Sequence, residues 1–177
     1  MRKLSMEELH RLSKDEYGHV AKLPVVVVLD NVRSLSNVGS VFRSADAFRI
    51  GALFLCGITA CPPHREIHKT ALGADETVPW RYFNSTADAC RELKSMGYRV
   101  VAVEQVEGSV MLQDFKVEPN TAFIMGNEVD GVSDEALPFC DAAIEIPQEG
   151  TKHSLNVSVC SGIIMWNIFN QLFLKRG

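Results

Sequence analysis

The hydrophobic positions of the chain form short apolar runs that alternate with amphipathic segments. Residues 25–29 are four valines and a leucine, and such a continuous β-branched run is typical of a strand buried on both faces of a parallel sheet. Further apolar runs predict strands at 52–56, 77–83, 99–103, 121–125 and 142–146. Because helical patterns separate most of these strands, the fold class is α/β, with a mainly parallel sheet flanked by helices.

The same spacing predicts the helices and the domain organisation. Ser36 is expected to cap the helix after the first strand, and the last helix is expected to start near Ser154, which places Asn156 one turn inside it. Residues 1–22 are interpreted as an N-terminal helical extension and residues 23–177 as a single domain. The remaining helices are predicted at 5–17, 64–72 and 85–96, and one interpretation of residues 124–133 adds a short helix at 134–137 with Ser133 as its cap.

Composition and charge narrow the class of protein. The chain has 177 residues, of which 46% are hydrophobic, so it can bury a real core and is not disordered. Its net charge of −4 argues against binding nucleic acid by bulk charge but allows a local basic patch. Basic and acidic side chains are mixed in residues 1–22, which favours a solvated helix face over RNA contact.

The cysteines and the apolar C-terminal stretch bear on location. Five scattered cysteines, an odd number, suit reduced thiols in a cytoplasmic protein. Residues 1–14 contain no apolar core of a signal peptide. Residues 155–174 are apolar but carry several amides and hydroxyls that would be costly in lipid. This stretch is therefore predicted to be a helix in the core or in a dimer interface, and no membrane span is expected.

Three segments that follow predicted strands carry candidate chemistry. In the first, residues 31–45, Gly39 permits close approach of a neighbour, and Arg43 lies one helical turn later. A guanidinium there can fork onto a phosphate or a carboxylate. The alternative is a surface arginine on an amphipathic helix, which this segment by itself favours.

The second segment, residues 124–133, contains two glycines and two acids after a strand. Its backbone can hold a small polar ligand, or it can be an ordinary strand-to-helix turn, and the spacing leaves both interpretations open. It is not a phosphate loop, because the Gly-Lys-Ser/Thr ending is missing.

In the third segment, residues 146–159, a polar loop leads into a helix start with unpaired N–H groups. The amide of Asn156 needs a partner in this apolar stretch.

Together the three segments resemble the motifs of the SpoU/TrmH branch of the SPOUT RNA methyltransferases. The matching positions are Asn37-x-Gly39 with Arg43-x-Ala45, Gly126-x-Glu128-x-x-Gly131, and Ile146-Pro147 through Gly150 to Ser154-Leu155-Asn156-Val157-Ser158-Val159. The resemblance spans residues 25–170 in order and spacing, and the third motif is close to diagnostic. One departure is Gln148, where relatives often have methionine, and it is expected to alter only the wall of the loop.

The resemblance implies a fold and a cofactor. The domain at 23–177 would be a SPOUT methyltransferase domain whose C-terminal segment threads a loop to form a trefoil knot, which is a rare exception among proteins. The knot would hold S-adenosylmethionine, and the family forms homodimers, here through the C-terminal helix. The residues expected to bind the cofactor are Glu104, Met125, Gly126, Asn127, Ile146, Gly150 and Leu155, of which Glu104 is the weaker match.

The resemblance also implies a reaction, methyl transfer to a ribose 2′-hydroxyl of structured RNA. That hydroxyl is a weak acid, so the site must remove its proton or stabilise the alkoxide. Arg43, which the resemblance directs to the cofactor of the opposite subunit, is a poor base and is assigned first to phosphate positioning and alkoxide stabilisation. Asn37 would orient Arg43 or the ribose, Glu128 would bind Arg43 or the substrate, and Ser154 and Asn156 would fix the loop and the ribose. Transfer RNA is weakly favoured over ribosomal RNA.

Three alternatives compete with this interpretation. A catalytically silent RNA-binding protein on the same scaffold predicts loss of the polar motif residues, which are all present. A zinc site at Cys56, Cys61, His64 and His68 has loosely suitable spacing, but Cys56 belongs to a predicted buried strand, so no metal is expected. A nicotinamide-binding domain would need a Gly-x-Gly-x-x-Gly turn after the first strand, which is missing.

Overall fold

The fold is built on one seven-stranded parallel sheet. A computed structural model describes residues 1–5 and 7–176. The strands lie in the order β3-β2-β1-β6-β4-β7-β5, and every neighbouring pair is parallel. The predicted α/β class with a mainly parallel sheet is thus confirmed. The strands are β1 (Leu23–Asp30), β2 (Ile50–Cys56), β3 (Trp80–Phe83), β4 (Arg99–Val103), β5 (Val110–Met111), β6 (Thr121–Met125) and β7 (Ala142–Glu145).

Helices cover both faces of the sheet, so the central strands are buried on both sides. Along β1, Val25, Val27 and Leu29 belong to one core cluster, while Val26 and Val28 belong to another. The first cluster is covered by α2, α3 and α5, and the second by α4. This two-sided burial explains the continuous apolar run of β1. The helices are α1 (Lys14–His19), α2 (Leu35–Ala47), α3 (Arg65–Ala71), α4 (Thr86–Ser95) and α5 (Val157–Leu172).

The contact between α2 and α3 explains the glycine of the first motif. A Cβ on Gly39 would lie 2.0 Å from Thr70 Oγ1 and 2.3 Å from the carbonyl oxygen of Ile67. The close approach that the sequence predicted is confirmed, and the approaching group is α3. The motif glycine therefore fixes the packing of the helix that carries Asn37 and Arg43.

Several predicted boundaries are wrong at helix ends. The helix predicted at 5–17 is limited to α1, where Ser13 and Glu16 form a capping box. Ser34 rather than Ser36 caps α2. Asn156 caps α5 and does not lie one turn inside it, because its side chain accepts hydrogen bonds from the N–H groups of Ser158 and Val159. An asparagine that can bond two free N–H groups competes successfully with helix continuation.

Smaller elements also differ from the predictions. β5 was missed because it has only two residues, both exposed. The predicted helix at 134–137 is a turn followed by a 3₁₀ helix at Leu137–Phe139. None of the helices in the described ranges is long and apolar enough to cross a membrane.

Candidate functional site

A cavity of about 310 Å³ lies at the carboxyl edge of the sheet, beyond β4, β6 and β7. Parallel strands end at the same edge, and loops that follow them commonly form ligand sites. The second and third sequence motifs meet here. The predicted site residues that line the cavity are Glu104, Met125, Gly126, Asn127, Glu128, Ile146, Ser154 and Leu155.

The loop after β6 is closed by its own hydrogen bonds. The side-chain oxygen of Asn127 accepts from the N–H groups of Val129 at 2.8 Å and Asp130 at 2.9 Å. The backbones of Asn127 and Gly131 exchange bonds of 3.1 and 3.2 Å. Gly131 has φ of +70°, a left-handed conformation that favours glycine. The loop is thus a compact turn that presents backbone groups and Glu128 to the cavity.

Gly126 brings the end of β6 against the end of this loop. A Cβ on Gly126 would lie 2.1 Å from the carbonyl carbon of Gly131 and 2.3 Å from the nitrogen of Val132. Both are backbone atoms, which cannot move aside as a flexible side chain could. The glycine of the second motif is therefore required for the shape of the cavity wall.

Two carboxylates at the ends of the strands that flank β6 anchor the exit of the loop. Glu104, just after β4, accepts from the N–H of Val132 at 2.9 Å. Asp30, at the end of β1, accepts from the N–H of Ser133 at 2.7 Å and from the hydroxyl of Thr86 at 2.5 Å. Asp30 is fully buried. Asp30 was not among the predicted site residues. An acid that ends a buried apolar strand is nevertheless an available signal in the sequence, because a buried charge must be hydrogen bonded.

A polar chain beside the cavity joins all three motifs. Asn37 on α2 donates from Nδ2 to Glu128 Oε1 at 2.7 Å. Asn156 donates from Nδ2 to Asn37 Oδ1 at 3.2 Å, and its own Oδ1 accepts from the N–H of Ser158 at 2.9 Å. The side-chain amide of Asn156, which was predicted to need a partner, thus has one on each side. The start of α2, the β6 loop and the start of α5 are held in register by this chain.

Arg43 and Gly150 lie apart from the cavity. Arg43 is exposed on α2 and lines a second cavity of about 480 Å³ together with Arg11 and Arg49. Gly150 is exposed, and a Cβ there would meet nothing within 4 Å. Four predicted site residues lie outside the cavity wall, namely Arg43, Gly150, Asn37 and Asn156. Of these four, Asn37 and Asn156 are linked to the wall by hydrogen bonds.

Gln148, which was expected to alter the wall of the loop, lines the cavity. Two further wall residues were not identified from the sequence, namely His153 in the loop of the third motif and Cys160 in the first turn of α5. Burial, and secondarily the charge of Glu104, raises the pKa of the Cys160 thiol to about 11, so it is neutral at pH 7. Cys160 follows Val157, another wall residue, by three positions, and this helical spacing is the sequence signal that places both on one face of α5.

The cysteine and histidine cluster considered for zinc is not assembled. Throughout residues 1–5 and 7–176, no three histidine, cysteine, aspartate or glutamate side chains are grouped to hold a metal ion. Cys56 is buried in β2, and His68 Nδ1 instead contacts the carboxylate of Asp75 at 3.0 Å. These side chains have structural partners.

Comparison with known proteins assigns the chain to a family. The sequence profile of the SpoU rRNA methylase family matches residues 24–166. The chain belongs to this family. Its resemblance to the SpoU/TrmH enzymes, inferred from the three motifs, is thus confirmed.

Individual members of the SpoU family agree with this assignment. The chain is 30% identical over 163 residues to the 23S rRNA (guanosine-2′-O-)-methyltransferase RlmB of Neisseria meningitidis, which covers 92% of this chain and 65% of that protein. An AdoMet-bound rRNA methyltransferase from Sinorhizobium meliloti has a TM-score of 0.79 at 30% identity, covering 92% of this chain and 62% of that one. The A. aeolicus TrmH/SpoU tRNA modifying enzyme has a TM-score of 0.80 at 26% identity, covering 89% and 80%. The chain therefore spans about two thirds of the length of the first two relatives.

Proposed function

We propose that this protein transfers a methyl group from S-adenosylmethionine to a ribose 2′-hydroxyl of structured RNA. The observation that carries the proposal is the meeting of three SpoU motifs around one cavity, joined by the chain from Glu128 through Asn37 to Asn156. The relatives named as RNA methyltransferases, one of them AdoMet-bound, support it.

The cavity residues fit S-adenosylmethionine. The cavity has a volume of about 310 Å³, which is at the lower end of the range of small-molecule sites. Ile146, Leu155 and Met125 supply apolar wall for a planar base, and the turn at Gly126 leaves backbone groups accessible. The acids of the wall, Glu104, Glu128, Asp130 and Glu145, suit the positive sulfonium of this cofactor.

When bound, the cofactor supplies an electrophilic methyl group, and the chain's own side chains orient the ribose. Glu128, whose carboxylate is fixed by Asn37, would accept a hydrogen bond from the 2′-hydroxyl. Ser154 and Asn156 would keep the third motif in place against the ribose. Arg43 would neutralise a neighbouring phosphate and the developing alkoxide, since a guanidinium with a pKa above about 12 is a poor base.

A homodimer through α5 accompanies this proposal. Val159 and Trp166 are seven residues apart on one face of α5, and Phe173 follows at the same spacing just past the helix end. The three side chains are 53%, 49% and 43% exposed. An apolar stripe of this size is typical of an interface. Trp166→Glu is expected to give a monomer by sedimentation equilibrium. A variant that remains dimeric would show that α5 is not the interface.

The trefoil knot is likewise a proposal. β7 lies two strands away from β6 in the sheet, yet α5, which follows β7, packs against α2 and β6. The segment 146–156 must therefore return across the carboxyl edge past the loop Asn127–Gly131. We propose that it passes through the preceding connection, as in the family, which an experimental chain trace would test.

Ribosomal RNA is the substrate class that we propose. The predicted preference for transfer RNA is not supported, because the relative from Neisseria meningitidis is named for 23S rRNA and a guanosine 2′-hydroxyl, although the A. aeolicus neighbour is named for tRNA. The substrate would be identified by comparing ribose methylation maps of RNA from cells with and without the gene. A site that appears only in transfer RNA would overturn this choice without affecting the proposed reaction.

The reaction is tested in two steps. Calorimetry should detect S-adenosylmethionine binding, and labelled methyl should appear on 2′-oxygens of ribosomal RNA. Arg43→Ala is expected to remain folded, to bind the cofactor, and to lose methyl transfer by about 100-fold. Full activity of this variant would remove Arg43 from the mechanism. RNA binding without cofactor binding would instead favour the catalytically silent alternative.

A further inference from the structure

A second cavity of about 480 Å³ lies on the α2–α5 side of the sheet. Its walls come from the N-terminal segment, the second half of α2, the turn after α3 and the end of α5. We call it the basic cleft, after the side chains of Arg11, Arg43 and Arg49 that line it together with His10 and Lys14. None of the SpoU motifs requires Arg11 or Arg49, so their position here needs its own explanation.

Lys14 of the basic cleft pairs with Glu76, but in the described part of the chain the three arginines have no such partner. Within residues 1–5 and 7–176, no carboxylate lies within ion-pair distance of Arg11, Arg43 or Arg49. The acid of the wall, Asp46, accepts from the hydroxyl of Thr77 at 2.9 Å. Three guanidinium groups without an acid partner around one cavity leave their N–H donors available to an anion.

Neighbouring groups respond to this charge. The guanidinium of Arg49 lies 5.2 Å from the ring centre of Phe173, an aromatic face in place of an acid. The pKa of Lys22 is lowered, first by burial and then by the positive charge of Arg49. In a protein with a net charge of −4, this local excess of positive charge is a specific feature of one surface.

The helix α5 connects the basic cleft to the cofactor cavity. Val157 and Cys160 at its start line the cofactor cavity, and Phe169 and Phe173 near its end line the basic cleft. From Cys160 to Phe169 the helix rises about 14 Å over nine residues, and this separates the two sites within one chain. In a two-fold dimer with antiparallel α5 helices, the basic cleft of one copy would instead approach the cofactor cavity of the other.

From these observations we propose that the basic cleft binds phosphodiester groups of the substrate RNA, next to the ribose that the other copy of the chain methylates. This inference rests on the proposed function and assigns Arg11 and Arg49 to substrate binding. Guanidinium groups form forked hydrogen bonds with phosphate oxygens, and several of them around one cavity match the successive phosphates of a polyanion.

The test compares two double variants that remove equal charge. Arg11→Ala/Arg49→Ala empties the basic cleft of two guanidinium groups. Arg81→Ala/Arg91→Ala removes two exposed arginines from the β3 and α4 region, where each has a carboxylate partner. The dissociation constant for 23S ribosomal RNA is measured against salt concentration for the wild type and both variants, after thermal melts have shown that they fold.

The cleft variant is expected to bind RNA more weakly. The slope of log binding constant against log salt concentration, here called the salt slope, should become shallower by about 0.7 to 0.9 for each phosphate contact removed. Arg11→Lys/Arg49→Lys should retain most of the slope, and the Arg81/Arg91 variant should retain all of it. Equal slopes for the cleft variant and the wild type, or equal losses in both alanine variants, would overturn the inference.

Calorimetric titration with S-adenosylmethionine separates this inference from the proposed function. The cleft variant should bind the cofactor as the wild type does, because the cofactor cavity lies at the other end of α5. If the wild type binds neither cofactor nor RNA, the proposed function fails. If the wild type methylates RNA and the cleft variant binds that RNA unchanged, only the role of the basic cleft fails.

Discussion

The carboxylate of Asp30 accepts a hydrogen bond of 2.7 Å from the backbone N–H of Ser133, 103 residues later in the chain. The preceding N–H, of Val132, donates to Glu104 in the same way at 2.9 Å. Two consecutive N–H groups are thus bound by acids at the ends of the two strands that flank β6. This arrangement fixes the exit of the loop that forms one wall of the cofactor cavity.

Asp30→Ala should destabilise the protein by about 3 kcal/mol, because it leaves the buried hydroxyl of Thr86 and the part-buried N–H of Ser133 without an acceptor. Urea unfolding measures the change, and cofactor affinity should fall with it as the loop exit loosens. Asp134→Ala, at an exposed position of the same turn, is the control and should change neither. A stable Asp30→Ala protein with normal cofactor affinity would contradict the anchoring role.

Gly126→Ala should abolish cofactor binding, since its Cβ would lie 2.1 Å from the backbone of Gly131. The loop can accept the methyl group only by shifting its backbone, which changes the wall of the cavity. Gly18→Ala adds the same methyl to α1, where nothing lies within 4 Å, and should leave calorimetric binding unchanged. Wild-type affinity in Gly126→Ala would show that the loop is not rigid.

Asn156→Asp separates the two tasks of Asn156. An aspartate can still accept from the N–H groups at the start of α5, so the free energy of unfolding should stay close to that of the wild type. It cannot donate to Asn37, so the link to Glu128 is lost and methyl transfer should fall.

Asn156→Ala is the companion variant, and it should lose about 1 kcal/mol of stability as well as activity. Equal activity in Asn156→Asp and the wild type would show that the polar chain is not needed for transfer.

Asp141 should contribute stability that is lost in acid. Partial burial raises its pKa, but the bonds from Lys94 and from the N–H of Val100 outweigh this, so the pKa is lowered on folding. A lowered pKa stabilises the folded state above the unfolded pKa, about 3.9, and this contribution disappears as the pH falls below it.

At pH 7, Asp141→Asn should be less stable than the wild type by up to about 1 kcal/mol, since the ion pair is partly exposed. The difference should shrink to zero as the pH falls below the lowered pKa of Asp141. Unfolding curves at several pH values measure it. A difference that persists in acid would assign the effect to packing.

The sequence by itself determined six of the seven strands, most helices and the three motifs. Continuous β-branched runs are dictated by burial on both faces, so β4 and β6 were predicted at their observed bounds. Local competition at helix ends was harder to predict, because Ser34 and Asn156 cap their helices through side-chain bonds that neighbouring residues could also make.

Only the tertiary structure decided which distant residues meet. The order of the strands and the return of α5, which no local pattern encodes, bring Asp30 to Ser133. They also bring Asn37 to Glu128 and Asn156. The basic cleft depends in the same way on Arg11, Arg43 and Arg49, which lie in separate elements of the chain. Local propensity acts over a few residues, whereas these sites depend on how complete elements pack against one another.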